Sequence, residues 1–286
     1  MKVSRLAPYI FVLLWSTGFV GAKYGLPYAD PFIFLSLRLF IAAVILFGIA
    51  SVLKAPIALT RLQIGRSALI GIFLHAAYLG GVFFAISRGV SAGTAAVITS
   101  LQPLLVSVLA IKILNEKLRG TQILGLILGL CGVVLVLGPS FESSVSGLGI
   151  LAVFIALIGS TTATLLQKKI GSGIPLLSGT AYQYCASGFL LFIAAVATDG
   201  TQIQWNIRFA GAMVWLIFVL SVGAILLLLW LLNRASAASV SSLFYLVPPA
   251  TAIEAYFLFG EKLNTQSLLG IAITALGVWC VVRAAN

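Results

Sequence analysis

The sequence predicts an all-α integral membrane protein in which ten transmembrane helices form two inverted five-helix repeats around a central cavity. Hydrophobic residues make up 61% of the 286 residues and charged residues only 8%, whereas a soluble domain carries about 25% charged residues. The apolar residues fall into ten runs, and the second half of the chain repeats features of the first at a fixed offset. A water-soluble fold could not bury this much apolar surface.

Each predicted span is an apolar run of about 20 residues, the length that a helix needs to cross a hydrocarbon core of about 30 Å. The runs are 6–25, 31–53, 66–87, 91–113, 120–138, 147–167, 176–198, 210–232, 237–259 and 266–283. The first follows Lys2 and Arg5 as a signal peptide would, but its length and the lack of a cleavage site predict a transmembrane helix. Short connections, apart from 54–65 and 199–209, leave no soluble domain.

The basic residues predict the orientation of the chain. Lys and Arg number 17 against 6 Asp and Glu, for a net charge of +11. A basic domain can bind nucleic acid, but these residues separate apolar runs and form no patch, so no nucleic-acid partner is expected. With the N-terminus inside, twelve lie at cytoplasmic ends and four at outer ends, as the positive-inside rule requires. We therefore expect a multi-pass protein of the cell inner membrane with both termini cytoplasmic.

The internal repeat is clearest in one pair of segments. Residues 91–118, interrupted by Gln102-Pro103 and closed by Glu-Lys-Leu, are matched 145 residues later by 236–263, and residues 88–138 share 13 identities in 51 positions with 233–283. Lys23 and Lys168 keep the same offset. Five spans per half is an odd number, so the halves enter the membrane from opposite sides, as in many secondary transporters. The predicted repeats are residues 1–140 and 146–286.

These features together carry a family resemblance. They are Trp15-Ser16 and Lys23 in the first span, Arg38 with Ala42 and Ala43 in the second, the stretch from Gln102-Pro103 through Glu116-Lys117-Leu118 to Gly125, and its copy from Pro248 to Gly277. Along nearly its whole length the chain resembles the drug/metabolite transporter superfamily, EamA type, and its overall likeness is to the YddG-like exporters of aromatic amino acids. The resemblance implies a basket of ten helices around a central cavity, and export or exchange of small metabolites.

Polar side chains inside the spans are the first candidates for a substrate site, because they are costly in hydrocarbon unless they face a cavity or a partner. His75, the one histidine of the chain, lies near the middle of its span, and Tyr78 shares its helical face. The pair is predicted to line the cavity. The alternative is a histidine that bonds to a neighbouring helix and holds the bundle together.

The fourth span adds Thr99 and Gln102 as cavity candidates beside Pro103. A proline removes a backbone donor and kinks a helix, and Pro248 and Pro249 occupy the equivalent place in the ninth span. We expect these three prolines to act as hinges, although a purely structural kink explains them equally well. Four further candidates for the cavity wall are Trp15, Tyr182, Gln183 and Tyr245, with Tyr184 beside them; aromatic walls suit flat or amphipathic substrates.

Arg38 and Glu254 are the charges inside the predicted spans, at similar depth. A salt bridge between the halves is the favoured interpretation, because an unpaired charge at this depth costs about 3 kcal/mol. The alternative is that Glu254 binds a coupling proton. The Glu-Lys pairs at 116–117 and 261–262 are assigned to helix capping, and Gly125 with Gly129 to close helix packing, within the chain or at a dimer contact.

The leading functional hypothesis is a secondary exporter of small metabolites, above all amino acids including aromatic ones, that works by alternating access as a monomer or homodimer. Nucleobases or cationic drugs are alternative substrates. An intramembrane lipid-modifying enzyme is disfavoured because the sequence has no HExxH, no GxSxG and no intramembrane aspartate pair. A channel is another alternative, but it would normally show a ring of charges or carbonyls in a filter, and none is visible in the sequence. No cofactor, metal or catalytic residue is predicted.

Overall fold

The structure, a computed structural model, describes residues 2–90, 95, 98–137, 147–198, 200–259 and 265–285. The helices in these residues are α1 Lys2–Gly25, α2 Pro31–Val52, α3 Arg61–Ser87, α4 Gln102–Ile113, α5 Gly120–Leu137, α6 Gly147–Ile170, α7 Leu176–Ala197, α8 Ile207–Leu232, α9 with its consecutive segments Ala237–Ser242, Leu243–Leu246 and Val247–Phe259, and α10 Thr265–Ala285. They coincide with the ten predicted spans, so the all-helical fold class is confirmed. The start of the fourth span, 91–94 with 96–97, lies outside the described residues.

The helices present apolar side chains outward, as lipid contact requires. Val44, Phe189 and Phe218 expose 71%, 61% and 54% of their surface. Among the described residues, six helices are both long and apolar enough to cross a membrane: α2, α3, α6, α7, α8 and α10. Shorter apolar stretches, Leu6–Gly18, Gln102–Ile113 and Gly120–Leu135, fall in α1, α4 and α5.

The packing of the helices follows a two-fold relation between the halves, in which helix n of the first half corresponds to helix n + 5 of the second. Two helices pack on their own counterparts, α2 on α7 and α5 on α10. Other contacts occur in matched pairs: α3 packs on α6 as α8 does on α1, and α4 packs on α6 as α9 does on α1. The bundle is therefore an inverted repeat, with its axis between the halves.

Glycines bring α5 and α10 together at backbone distance. A Cβ added to Gly125 would lie 2.5 Å from the carbonyl oxygen of Gly277, and one added to Gly132 would lie 2.7 Å from that of Gly270. The two contacts are equivalent by the repeat, because Gly125 corresponds to Gly270 and Gly132 to Gly277 at the offset of 145 residues. The Gly125 and Gly129 pair thus packs within the chain, against α10, and this face is not open to a second copy.

Two membrane-spanning helices, α3 and α8, change to π-helical geometry in their middle third. The π segments are Ile72–Leu79 and Leu216–Ala224, so residues 72–79 correspond to 217–224 at the repeat offset. A π segment is uncommon and often occurs at functional sites, because it re-aims the side chains that come after it. Here it carries His75 and Tyr78 in one half and Ser221 in the other.

The prolines of α4 and α9 start new helical segments. Ser100 and Leu101 form a turn, and α4 begins at Gln102 with Pro103 in its first turn. In α9 a 3₁₀ segment, Leu243–Leu246, precedes the helical segment that contains Pro248 and Pro249. Proline fits the first turn, where its missing N–H is not needed. The fourth span, 91–113, and α9 are thus both broken near their middle, and the hinge role of these prolines stays a prediction.

The carboxylate of Glu116 caps a helix of the opposite half. Its Oε1 accepts a hydrogen bond from the backbone N–H of Ala237 at 2.8 Å, and its Oε2 one from Ala238 at 3.5 Å. These donors open α9, where a negative charge is favourable. The predicted capping role of the Glu-Lys-Leu motif is therefore observed across the repeat and not at the start of α5. The repeat equivalents, Glu261 and Ala92, lie outside the described residues.

Replacing Glu116 by alanine is expected to cost about 1–2 kcal/mol of stability, the usual effect of losing a charged cap. The lower melting temperature is measured by thermal unfolding of the purified protein in detergent. Lys117→Ala is the matched control, because Lys117 is exposed. Equal melting temperatures for the two variants would contradict the capping role.

Lys168 binds the end of α8, just before the loop that leads to α9. Its Nζ donates to the carbonyl oxygens of Leu232 at 2.9 Å and Ala235 at 2.6 Å, where α8 ends. A cation near the last carbonyls of a helix is stabilising.

Lys168→Met retains much of the apolar stem and removes both hydrogen bonds, so we expect a loss of about 2 kcal/mol. Lys169→Met, at an exposed neighbouring position, is expected to leave the melting temperature unchanged. A shift of the same size in both variants would show that the charge, and not the contact with α8, is what matters.

Candidate substrate site

Two pockets lie in the interior of the helix bundle, on either side of Trp15 and Tyr78. The arginine pocket is lined by Trp15, Gly18, Ala22, Arg38, Tyr78, Leu79, Val82, Phe83, Ile86, Leu220 and Ile225. The amide pocket is lined by Trp15, Leu74, Tyr78, Thr99, Ser100, Gln102, Ser160, Thr164, Leu228, Phe244, Val247 and Pro248. Trp15 and Tyr78 are the two residues that line both pockets. This pair therefore separates the two pockets.

Trp15 is held in place by two other aromatic rings. Its ring centroid lies 5.3 Å from that of Phe11, on the same helix, and 5.2 Å from that of Phe244, on α9. The contact with Phe244 is edge-to-face at 88°, a favoured arrangement for aromatic pairs. Only 6% of Trp15 is exposed. The barrier between the pockets is thus built from α1, α3 and α9, which belong to both halves.

The amide pocket lies on the two-fold axis of the repeat. Trp15 corresponds to Ser160 at the offset of 145 residues, and Gln102 to Val247. All four line this pocket. Inverted-repeat transporters bind their substrates at the interface between the halves, where discontinuous helices meet. The breaks in α4 and α9 reach the pocket at Gln102 and Pro248.

Gln102 of α4 and two side chains of α6, Ser160 and Thr164, contribute polar groups to the amide pocket. Gln102 Nε2 donates to Thr164 Oγ1 at 3.2 Å, while Gln102 Oε1 is buried without a hydrogen-bond partner in the described structure. Thr164 in turn donates to the Ser160 carbonyl at 2.9 Å. A buried carbonyl oxygen without a donor is costly, so Gln102 Oε1 is well suited to accept a hydrogen bond from a substrate N–H group.

Both pockets are narrow. The space open to the centre of a water molecule is about 50 Å³ in the arginine pocket and about 40 Å³ in the amide pocket, and one water needs roughly 10–15 Å³ by this measure. Each pocket has room for a few waters. Helices must move apart before a molecule of amino-acid size can enter, as alternating access requires.

The structure places four of the predicted cavity residues, Trp15, Tyr78, Thr99 and Gln102, and the hinge residue Pro248 on the pocket walls. His75 lies outside these walls although it shares a helical face with Tyr78. It is fully buried, packs edge-on against the Tyr184 ring at 4.8 Å, and neither ring nitrogen has a hydrogen-bond partner by distance and angle among the described residues. In this conformation His75 lies at the contact of α3 with α7, and its role in the cavity stays a prediction.

The other three predicted wall residues also lie away from the pockets. Tyr182 packs edge-on against Phe47 with ring centroids 5.3 Å apart. Gln183 is buried and donates to Gln167 Oε1 at 3.4 Å. Tyr245 is fully buried, against Gly129 of α5. These side chains fill helix contacts around the site.

Arg38 and Glu254 do not form the predicted salt bridge. Arg38 Nε donates to Ser221 Oγ of α8 at 2.8 Å, whereas Glu254 Oε1 accepts from Ser16 Oγ of α1 at 2.5 Å. Similar depth in the membrane does not bring them together, because α2 packs on α7 and α8 while α9 packs on α1. Each charge therefore has a neutral partner of its own.

Two contributions to the pockets, those of α6 and of Arg38, were not predicted from the sequence. Ser160 and Thr164 belong to a polar cluster, Ser160-Thr161-Thr162-Ala163-Thr164, in the middle of an otherwise apolar span. That cluster was a visible signal. Nothing in the sequence showed which of the two charged residues lines a pocket; in the structure it is Arg38 and not Glu254.

The inverted repeat, the broken helices and a pocket on the two-fold axis are typical of secondary membrane transporters. The chain belongs to the EamA-like transporter family, whose model matches residues 6–138 and 147–283. It is thus a membrane transporter of the drug/metabolite superfamily.

Comparisons with individual proteins agree with this assignment. The chain is 24% identical over 277 residues to "Uncharacterized transporter YvbV" of Bacillus subtilis, covering 95% of this chain and 88% of that protein. It is 24% identical over 280 residues to "Probable amino-acid metabolite efflux pump" of Escherichia coli, covering 94% and 91%. A solved crystal structure superposes with a TM-score of 0.83 at 17% identity, over 98% of this chain and 97% of the other, which shows the shared fold.

Proposed function

We propose that this protein exports amino acids, including aromatic ones as in the YddG-like branch, across the inner membrane by alternating access. The observation that carries the proposal is the pair of pockets divided by Trp15 and Tyr78. A substrate bound beside this barrier passes from one pocket to the other when the halves rock about the two-fold axis.

The walls of the pockets support an amino-acid substrate. Trp15, Tyr78 and Phe244 present aromatic surfaces that can stack on a flat side chain. Gln102 Oε1 offers an acceptor for an N–H group. A relative named as an amino-acid metabolite efflux pump, matched over nearly its whole length, adds further support.

Counterflow in proteoliposomes tests the proposal. Vesicles loaded with unlabelled phenylalanine are expected to accumulate labelled phenylalanine transiently and saturably, and empty vesicles should show no such overshoot. Competition by unlabelled amino acids, nucleobases and cationic drugs then ranks the substrates. Flux that rises linearly without saturation would indicate a channel, and accumulation driven by nucleobases but by no amino acid would overturn the proposed substrate.

A further inference from the structure

Arg38 is a cation buried in an apolar wall. Only 4% of its surface is exposed, and it lines the arginine pocket. The other lining side chains are aliphatic or aromatic, and no other charged residue is among them. A charged side chain within a membrane span is expensive and marks a binding or transport site unless a partner compensates it.

The guanidinium is oriented but incompletely bonded. Its Nε donates to Ser221 Oγ at 2.8 Å, and that is the hydrogen bond that the described structure gives it. Ser221 is itself held, because its carbonyl oxygen accepts from the Tyr184 hydroxyl at 2.5 Å. The Nη groups are therefore left to bind another acceptor, in the planar fork that matches a carboxylate.

None of the acidic residues in the described part of the chain is paired with Arg38. Glu254 accepts from Ser16, and Glu116 caps α9. Asp30 precedes α2 directly, eight residues and thus roughly 12 Å of helix from Arg38. The positive charge of Arg38 has no carboxylate partner among the described residues.

The repeat shows that the fold itself does not require a cation here. The residue equivalent to Arg38 in the second half is Gln183, at the same offset of 145 residues and also buried. Both side chains lie on the helices that pair across the axis, α2 and α7. A neutral amide is therefore sufficient for packing at the equivalent position. The charge of Arg38 is not needed for the fold and is available to bind a ligand.

We propose that Arg38 binds the carboxylate of the transported substrate, and that Val82, Phe83 and Leu220 contact its apolar body. This inference rests on the proposed transport function and narrows the substrate class to small carboxylic acids with an apolar side chain. Apolar amino acids belong to this class, and so do their des-amino analogues. The arginine pocket offers no carboxylate for an ammonium group, so the amino group contributes less there than the carboxylate.

Binding to the purified wild-type protein in detergent tests the inference without requiring transport. The probes are phenylalanine, 3-phenylpropionate and phenylalaninamide, with thermal stabilisation as the readout. We expect both acids to stabilise the protein, and the amide to bind at least about tenfold more weakly because it lacks the charge that pairs with Arg38. An amide that binds as well as the acids would overturn the inference and leave the proposed transport untouched, since counterflow is measured separately.

Variants assign the preference to Arg38. Arg38→Gln copies the residue of the second half, and we expect it to bind acid and amide equally. Arg88→Gln is the control, because it also removes a basic residue but at an exposed site outside the pocket; it should keep the wild-type preference. A retained tenfold preference in Arg38→Gln would overturn the assignment.

A further variant covers the case in which Arg38→Gln does not fold. Ser221→Ala retains the charge and removes the acceptor that orients the guanidinium. We expect weaker binding of phenylalanine, with the preference for acid over amide still present. Wild-type affinity for phenylalanine in Ser221→Ala would overturn the inference, because the guanidinium that Ser221 orients would then not contribute to binding.

Discussion

Replacing Gly277 by alanine is expected to destabilise the bundle by about 3 kcal/mol, at the upper end of what overpacking costs. The new Cβ would lie 2.5 Å from the backbone nitrogen of Gly129 and 2.6 Å from the carbonyl oxygen of Gly125. These are backbone atoms of α5, which cannot turn aside as a flexible side chain would. The helices must separate along their whole contact, and thermal unfolding in detergent measures the loss.

Gly48→Ala is the matched control for this prediction. Gly48 lies in α2 with nothing within 4 Å of an added Cβ, and alanine favours a helix over glycine by up to about 1 kcal/mol. We expect an unchanged or slightly higher melting temperature for this variant. If Gly277→Ala melts at the same temperature as Gly48→Ala, then α5 and α10 do not pack as described.

The second large effect is expected for Trp15→Ala. The substitution removes the indole that lines both pockets and takes the ring away from Phe11 and Phe244. The two pockets merge, so the halves can no longer close on one side before opening on the other. We expect saturable counterflow to fall at least about tenfold, as a loss of more than about 1.4 kcal/mol in binding would give, and a linear leak to appear.

Two further variants test whether the effect of Trp15→Ala comes from the loss of the barrier between the pockets. Trp279→Ala removes an indole that is 54% exposed on α10, and it should transport as the wild type does. Trp15→Phe keeps a smaller aromatic ring between the pockets, and we expect a smaller loss of counterflow without a leak. Normal counterflow in Trp15→Ala would mean that the barrier lies elsewhere.

Sequence patterns predicted the helices of this fold because the bilayer imposes a length and a composition on every span. The repeat was equally visible, since identical glycines, prolines and charges recur at one offset. The contact of Gly125 with Gly277 can be derived from that repeat once α5 and α10 are paired. The pairing itself was not evident from the sequence.

The candidate site was harder to predict, because membrane depth can be counted along a span but the direction of a side chain cannot. The π segments in α3 and α8 show why. No residue pattern in the sequence predicted these segments. Each one changes the direction of the later side chains on its helix. As a result Tyr78 lines the pockets, whereas His75 packs against Tyr184 outside them. Arg38 and Glu254 likewise share a depth and face different helices.

The pairing of α5 with α10 has a consequence for biosynthesis. A ribosome that has completed Gly125 must add 152 more residues before its partner Gly277 exists, which takes roughly 8–30 s at 5–20 residues per second. Throughout that interval the part of the glycine face around Gly125 lacks the α10 backbone against which it packs. Translocon proteins or lipid must shield it, and a chain truncated before α10 would keep this surface open to other membrane helices.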